Sequence, residues 1–213
     1  MADQLKAAEA LSFILRSNNI DHAVIGGFAA VLLGHHRSTQ DVDVEIDFAA
    51  NMRDELVQLL IEQDNRFAVQ HRKLLFTPTN SADRVLVETL PLGELGLPRE
   101  LRIFKLESSE IPILHPAVLI LTKMKRAAQL IASTRPLSRA KFHSDCSDIT
   151  YLLNWLAQRN ETVDFVGYKS AAVDRLYKAV IDLLNHWRTT ERDMVDLLDS
   201  VLKPSDREKI MDG

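Results

Sequence analysis

The segment Asp41-Val42-Asp43-Val44-Glu45-Ile46-Asp47 alternates acidic and apolar residues without a break. Side chains two apart on a strand share a face, so this period predicts a strand with one apolar and one acidic face. The apolar face must be covered by other elements. The acidic face must meet water or a cation, because Asp41 and Asp43 lie side by side and repel each other. A magnesium ion takes oxygen ligands and is readily shared between carboxylates and phosphates. A solvated strand face satisfies the same alternation, so the acidic pair alone leaves both readings open.

The residues upstream narrow the choice. His22-Ala23-Val24-Ile25 reads as a short strand that Gly26-Gly27 stops, and residues 28–33 read as a short helix ending at Gly34. Glycine lets backbone N–H groups come close to phosphate oxygens, and a helix N-terminus favours anions. Arg37 and Thr39 stand just ahead of the acidic pair and can serve the same phosphates. Two glycines alone are a weak signal. Followed at this distance by Arg-x-Thr and then Asp-x-Asp, they are far more specific.

Further along, residues 4–17 carry Leu5, Ala8, Leu11, Ile14 and Leu15 at helical spacing, and residues 53–63 carry Leu56, Leu59 and Leu60. Residues 74–76 and 84–90 read as a strand pair around the turn-rich stretch 77–81, and 102–106 is a further strand candidate. From Pro116 onward no strand is expected. Helices are predicted over 117–131, 138–158, 170–187 and 192–202, with a break at Ser133-Thr134-Arg135-Pro136. In the third, Val173, Leu176, Tyr177, Val180, Leu184 and Trp187 mark one apolar face. That face could be core or the surface of a homodimer. The fold class is therefore α+β, a small mixed sheet over residues 1–110 followed by an all-helical domain over 111–213.

The run IGGFAAVLLGHHRSTQDVDVEI resembles the signature of the polymerase-β-like nucleotidyltransferase superfamily. The resemblance implies a nucleoside triphosphate bound through Mg²⁺ or Mn²⁺ at the edge of a small mixed sheet. It assigns Gly26, Gly27, Arg37 and Thr39 to the nucleotide, and Asp41 and Asp43 to the metal. The superfamily has a third carboxylate on a neighbouring strand, and Glu88 in the segment 84–90 stands at the matching place. The superfamily more often has Asp there. An unpaired charge on an otherwise apolar strand is unfavourable, which favours a role for Glu88 as metal ligand or general base. A Glu at the surface of a strand edge is the plain alternative.

The helical half resembles the nucleotidyltransferases of the type IV abortive-infection toxins through Pro116, Lys123, Asp145 and Asp148. That resemblance implies that Lys123 contacts the triphosphate, with Asp145 beside it. Lys123, Lys125 and Arg126, with Arg135, Arg139 and Lys141 nearby, form the one basic concentration in a chain of net charge −4. Such a patch suits triphosphate or an RNA acceptor, and equally a solvated helix face. Asp148 could pair with a cation of the same helices.

Other features count for less. With a single cysteine, Cys146, the chain builds no disulfide or cysteine-based zinc site, and the thiol reads as structural. His35-His36 lies near the glycine run but reads as an exposed loop pair. The N-terminus lacks the form of a signal peptide and no membrane span is expected, so a cytoplasmic location follows. The expected activity is transfer of a nucleoside monophosphate from ATP or another triphosphate to a hydroxyl on a protein, a tRNA or a small molecule. Two alternatives stay open: a non-catalytic, antitoxin-like binding partner, and the fold recruited for another tRNA-linked transfer.

Overall fold

The acidic strand lies in the middle of a sheet. A computed structural model describes residues 1–81 and 83–211, Leu95 by its backbone only. Seven strands run in the order β3-β4-β5-β2-β1-β7-β6. They are β1 (His22–Ile25), β2 (Asp41–Ile46), β3 (Phe67–Gln70), β4 (Lys73–Phe76), β5 (Val85–Pro91), β6 (Ile103–Lys105) and β7 (Pro112–Leu114). The helices of this part are α1 (Ala2–Ser17), α2 (Gly26–Leu32) and α3 (Arg53–Gln63). β2 runs antiparallel to β1 and parallel to β5, so the sheet is mixed.

Val42, Val44 and Ile46 are fully buried, as the alternation of β2 requires. α1 packs against β1, β2 and β5. Its buried face is Ala7, Ala8, Leu11, Ile14 and Leu15, whereas Leu5 is largely exposed. Burying a Leu side chain contributes about 1.5–3 kcal/mol, so this stripe is what holds α1 down.

Two strands are absent from the sequence reading. β3 joins β4 through His71 and Arg72, both with positive φ (51° and 63°). A two-residue hairpin wants that backbone, and Asn-Gly usually supplies it. His-Arg carries no such signal. β7 is three residues long, too short to show a period, and pairs parallel with β1.

The chain divides into two units: Met1–Glu94 with Ile103–Leu114, and Leu95–Arg102 with His115–Gly213. The boundary thus differs from the expected one near 110. β7 belongs to the sheet, and the segment 95–102 belongs with the helices.

The helical unit holds α4 (Pro116–Leu130), α5 (Pro136–Gln158), α6 (Val173–Thr190), α7 (Arg192–Ser200) and α8 (Pro204–Met211). α4 packs against both α5 and α6, and Ala117 to Leu121, Met124 and Ala127 are all buried. Pro116 sits at the first turn, where its missing N–H is harmless. His115 caps the helix by accepting from the Ala117 N–H at 3.3 Å through Nδ1. Leu176, Val180, Leu184 and Trp187 of α6 are buried inside the unit, so this face is core and not a dimer surface; only Val173 is exposed. Trp155 is buried as well. Among the described residues no helix is long and apolar enough to cross a membrane.

Candidate active site

Gly26 ends β1 and begins α2 with φ +70°, a conformation in the left-handed region that favours glycine. Its neighbour Ile25 is the register partner of Asp43 on β2. A Cβ added to Gly26 would lie 1.8 Å from Asp43 Oδ2 and 2.7 Å from its Cγ. The Asp43 carboxylate therefore packs directly on the Gly26 backbone, in space that any side chain would occupy. A Cβ on Gly27 would meet the Arg37 guanidinium at 3.1–3.2 Å and Thr39 Oγ1 at 3.2 Å. Thr39 Oγ1 donates to Asp41 Oδ1 at 2.9 Å. Six of the expected residues, Gly26, Gly27, Arg37, Thr39, Asp41 and Asp43, thus meet around one turn.

The strand register adds the seventh. Asp43 is the partner of Glu88 on parallel β5. Partners on adjacent strands share a face and stand about 4.8 Å apart, so Asp41, Asp43 and Glu88 lie on the same side of the sheet. The burial argument for Glu88 does not hold. Its side chain is exposed, while Val85, Val87 and Thr89 on the other face of β5 are buried. Glu88 is a solvent-facing group in an alternating strand, not a charge forced into an apolar one. Glu45, the next acid along β2, is completely buried.

The donor set is chemically right for a hard divalent ion, since all three groups are carboxylates on one face. Among the described residues, though, no three His, Cys, Asp or Glu side chains are gathered as an ion would require. The backbone brings the ligands to neighbouring places and the side chains do not converge.

No protein-family model matches the chain, and no curated protein is similar to it in sequence. Solved structures do resemble it. An antigenic nucleotidyltransferase-like protein from Paracoccidioides brasiliensis is 19% identical, with 99% of this chain and 98% of that one covered, at a TM-score of 0.71. The chain has a nucleotidyltransferase-like fold. At lower scores stand ANT(2")-Ia in complex with adenylyl-2"-tobramycin (16% identity, 74% and 98% covered, TM-score 0.44) and terminal uridylyl transferase 4 from Trypanosoma brucei with bound CTP (14%, 89% and 65%, 0.36). The first of these structures carries the fold assignment.

The helical unit of this nucleotidyltransferase-like fold treats its candidate residues differently. Lys123 is 1% exposed, and its Nζ donates to Asp148 Oδ2 at 2.6 Å. Arg126 makes a two-pronged bond to Asp145, at 2.7 Å through Nε and 2.5 Å through Nη2. Lys125 binds the Gly96 carbonyl, and Tyr168 Oη at 3.3 Å. The earlier cation of α4 takes the later acid of α5, as antiparallel helices require. Asp148 is thus the direct partner of Lys123, and Asp145 belongs to Arg126. Burial pulls the Lys123 ammonium below the usual lysine range, and Asp148 beside it opposes that shift. The three cations of α4 are engaged inside their own unit, so the basic concentration reduces to the exposed Arg135, Arg139 and Lys141. Two basic residues three apart on one helix and two acids three apart on the next were the signal for this arrangement.

Burial raises the Cys146 thiol to about 12, with Glu191 and Asp145 adding to it, so it is no nucleophile near neutrality. Arg37 also lines a hollow of about 600 Å³ with Leu5, Phe28, Val31, Leu32 and His36. The histidine pair therefore borders a cavity next to the glycine turn rather than open loop alone.

Proposed function

We propose that the protein is a Mg²⁺- or Mn²⁺-dependent nucleotidyltransferase, moving a nucleoside monophosphate from a triphosphate to a hydroxyl acceptor. The observation that carries this reading is the packing of the Asp43 carboxylate on Gly26, with Glu88 in register beside it. A close backbone approach next to an acidic pair is what a metal-bound triphosphate needs.

In this reading Asp41 and Asp43 hold the ion, which when bound activates the acceptor hydroxyl and neutralises the leaving pyrophosphate. Gly26 and Gly27 offer bare backbone to the phosphates. Arg37 and Thr39, packed against Gly27, orient the phosphate oxygens by charge and by hydrogen bonding. Glu88, exposed on the same face, serves in this reading either as ligand to the ion or as the general base for the acceptor hydroxyl. The acceptor is a protein, a tRNA end or a small hydroxylated molecule. The likeness to the type IV abortive-infection nucleotidyltransferases rests on Pro116, Lys123, Asp145 and Asp148. The burial of Lys123 turns that residue from a triphosphate contact into a brace of the helical unit.

The test is label transfer. Purified protein is incubated with Mg²⁺ and each α-labelled triphosphate, alone and in a lysate, beside Asp41→Asn. Incorporation that falls about 10²–10³-fold in the variant supports the reading, the loss expected for a group that stabilises transition-state charge. Binding of no triphosphate, or full activity in Asp41→Asn, rejects it.

One observation favours a second reading: the three carboxylates are not gathered as an ion requires. A protein that keeps the fold as a binding or antitoxin-like partner would have this character. It would copurify with a second protein and show no turnover. Recruitment to another tRNA-linked transfer would instead leave no α-label on tRNA; a phosphoryl transfer would label it from γ-labelled triphosphate, with the nucleoside diphosphate released.

A further inference from the structure

α1 is held to the sheet by a stripe of small and apolar residues at positions 7, 8, 11, 14 and 15. One turn earlier, the same stripe arrives at Gln4. Helical periodicity calls for an apolar side chain there, and the chain places an amide. Gln4 Nε2 donates to the Thr39 carbonyl at 3.1 Å. Its Oε1 is buried with no hydrogen-bond partner. An unmatched buried oxygen is unfavourable, and an apolar side chain of similar length would avoid it. Packing gives no reason to keep the amide, but its donor does.

That donor reaches the segment just ahead of β2. Thr39 Oγ1 donates to Asp41 Oδ1 at 2.9 Å and lies 3.2 Å from where a Cβ on Gly27 would stand. The preceding residue of α1 does something similar ahead of β5: Asp3 Oδ2 accepts from Ser81 Oγ at 3.1 Å. The first turn of α1 therefore grips the chain before both parallel strands that carry Asp41, Asp43 and Glu88.

We propose that Gln4 is a positioning residue, which fixes Thr39 and through it the direction of the Asp41 carboxylate. The proposal rests on the nucleotidyltransferase reading above. Gln4 touches neither substrate nor ion in this scheme and acts through Thr39.

Gln4→Met keeps the length of the side chain and removes the donor. Three quantities are measured on the full chain: thermal midpoint, Mn²⁺ affinity by electron paramagnetic resonance, and kcat and KM over a Mg²⁺ titration. The expected midpoint is unchanged or higher, because the orphan oxygen is gone. The Mn²⁺ dissociation constant and the half-saturating Mg²⁺ concentration rise about three- to tenfold, the range one hydrogen bond accounts for. In a Thr39→Val background, Gln4→Met has little further effect on ion affinity, since the route to Asp41 is already cut. Unchanged ion affinity and kinetics in Gln4→Met, beside an active wild type, overturn this proposal alone. So does a fall in midpoint that tracks the loss of activity, which marks a merely structural amide. A wild type that binds neither Mn²⁺ nor triphosphate overturns the functional reading and this proposal with it.

Discussion

Two acidic pairs in this molecule have opposite fates. Asp145 and Asp148, three apart on α5, are completely buried and each grips a cation from α4. Asp41 and Asp43, two apart on β2, stay partly exposed on one face of the sheet. One of them takes a threonine hydroxyl and the other lies against bare glycine backbone. The charges of the helical pair are used up in holding two helices together. Those of the strand pair face a glycine turn beside a third carboxylate. Acidity alone does not mark a functional site. The helical pair is enclosed and braced by cations, whereas the strand pair keeps contact with solvent beside a glycine turn and a third carboxylate.

The largest effect expected from this contrast is on stability. Removing one partner of a buried ion pair leaves the other uncompensated, at roughly 3–5 kcal/mol. Asp148→Ala should therefore lower the thermal midpoint steeply, and Lys123→Met with Asp148→Leu together should recover most of the loss. Chemical denaturation of the three proteins checks this, and a harmless Asp148→Ala would break the comparison.

Next comes Asp43→Asn, which should lower nucleotidyl transfer by about 10²–10³-fold while changing the midpoint far less than Asp148→Ala does, because its side chain is only partly buried. Activity and calorimetry on the same preparation measure both. A variant that unfolds instead would make Asp43 structural and erase the contrast.

Gly26→Ala tests the meeting of turn and acid directly. The left-handed backbone alone costs a β-carbon roughly 1–2 kcal/mol, and the clash with Asp43 must add to it. The midpoint should fall by several degrees and activity should follow. Gly27→Ala, whose neighbours are the ends of flexible side chains, should lose less of both.

The smallest effect touches both units alike. Burial lowers the pKa of His22 in the sheet unit, with Arg16 adding to that and the Ile20 carbonyl opposing. Burial also lowers His115 in the helical unit, with Arg102 adding. Each stays neutral in the fold at a pH where the unfolded chain is protonated. Their stability is complete above about pH 6.5 and is lost as pH falls from there toward the folded value. Stability should therefore fall between pH 7.5 and 5.5. Urea unfolding at the two pH values should show it, and His22→Gln should reduce the difference.

Much of this was legible in the residues. The period of β2, the glycine run and the switch from strands to helices are local properties, and they suffice for an α+β chain with a candidate turn. Glu88 stands in register with Asp43, but strand alternation, not burial, governs its exposure. β3 escaped because its hairpin uses His71 and Arg72 in place of turn-forming residues. Lys123 was misplaced because a lysine on a helix reads the same whether its partner is a phosphate or an aspartate of the next helix. Gln4 gave no signal at all, since its partner lies thirty-five residues away.

By itself, the sequence determined that Gly26-Gly27 and Asp41-x-Asp43 would meet, because a strand, a tight turn and a returning strand bring their ends together by short-range geometry. Only the tertiary structure decided which charges are enclosed and which keep contact with solvent. Pairing a carboxylate depends on which strand or helix lies alongside it, and that is set by long-range packing the local pattern does not contain.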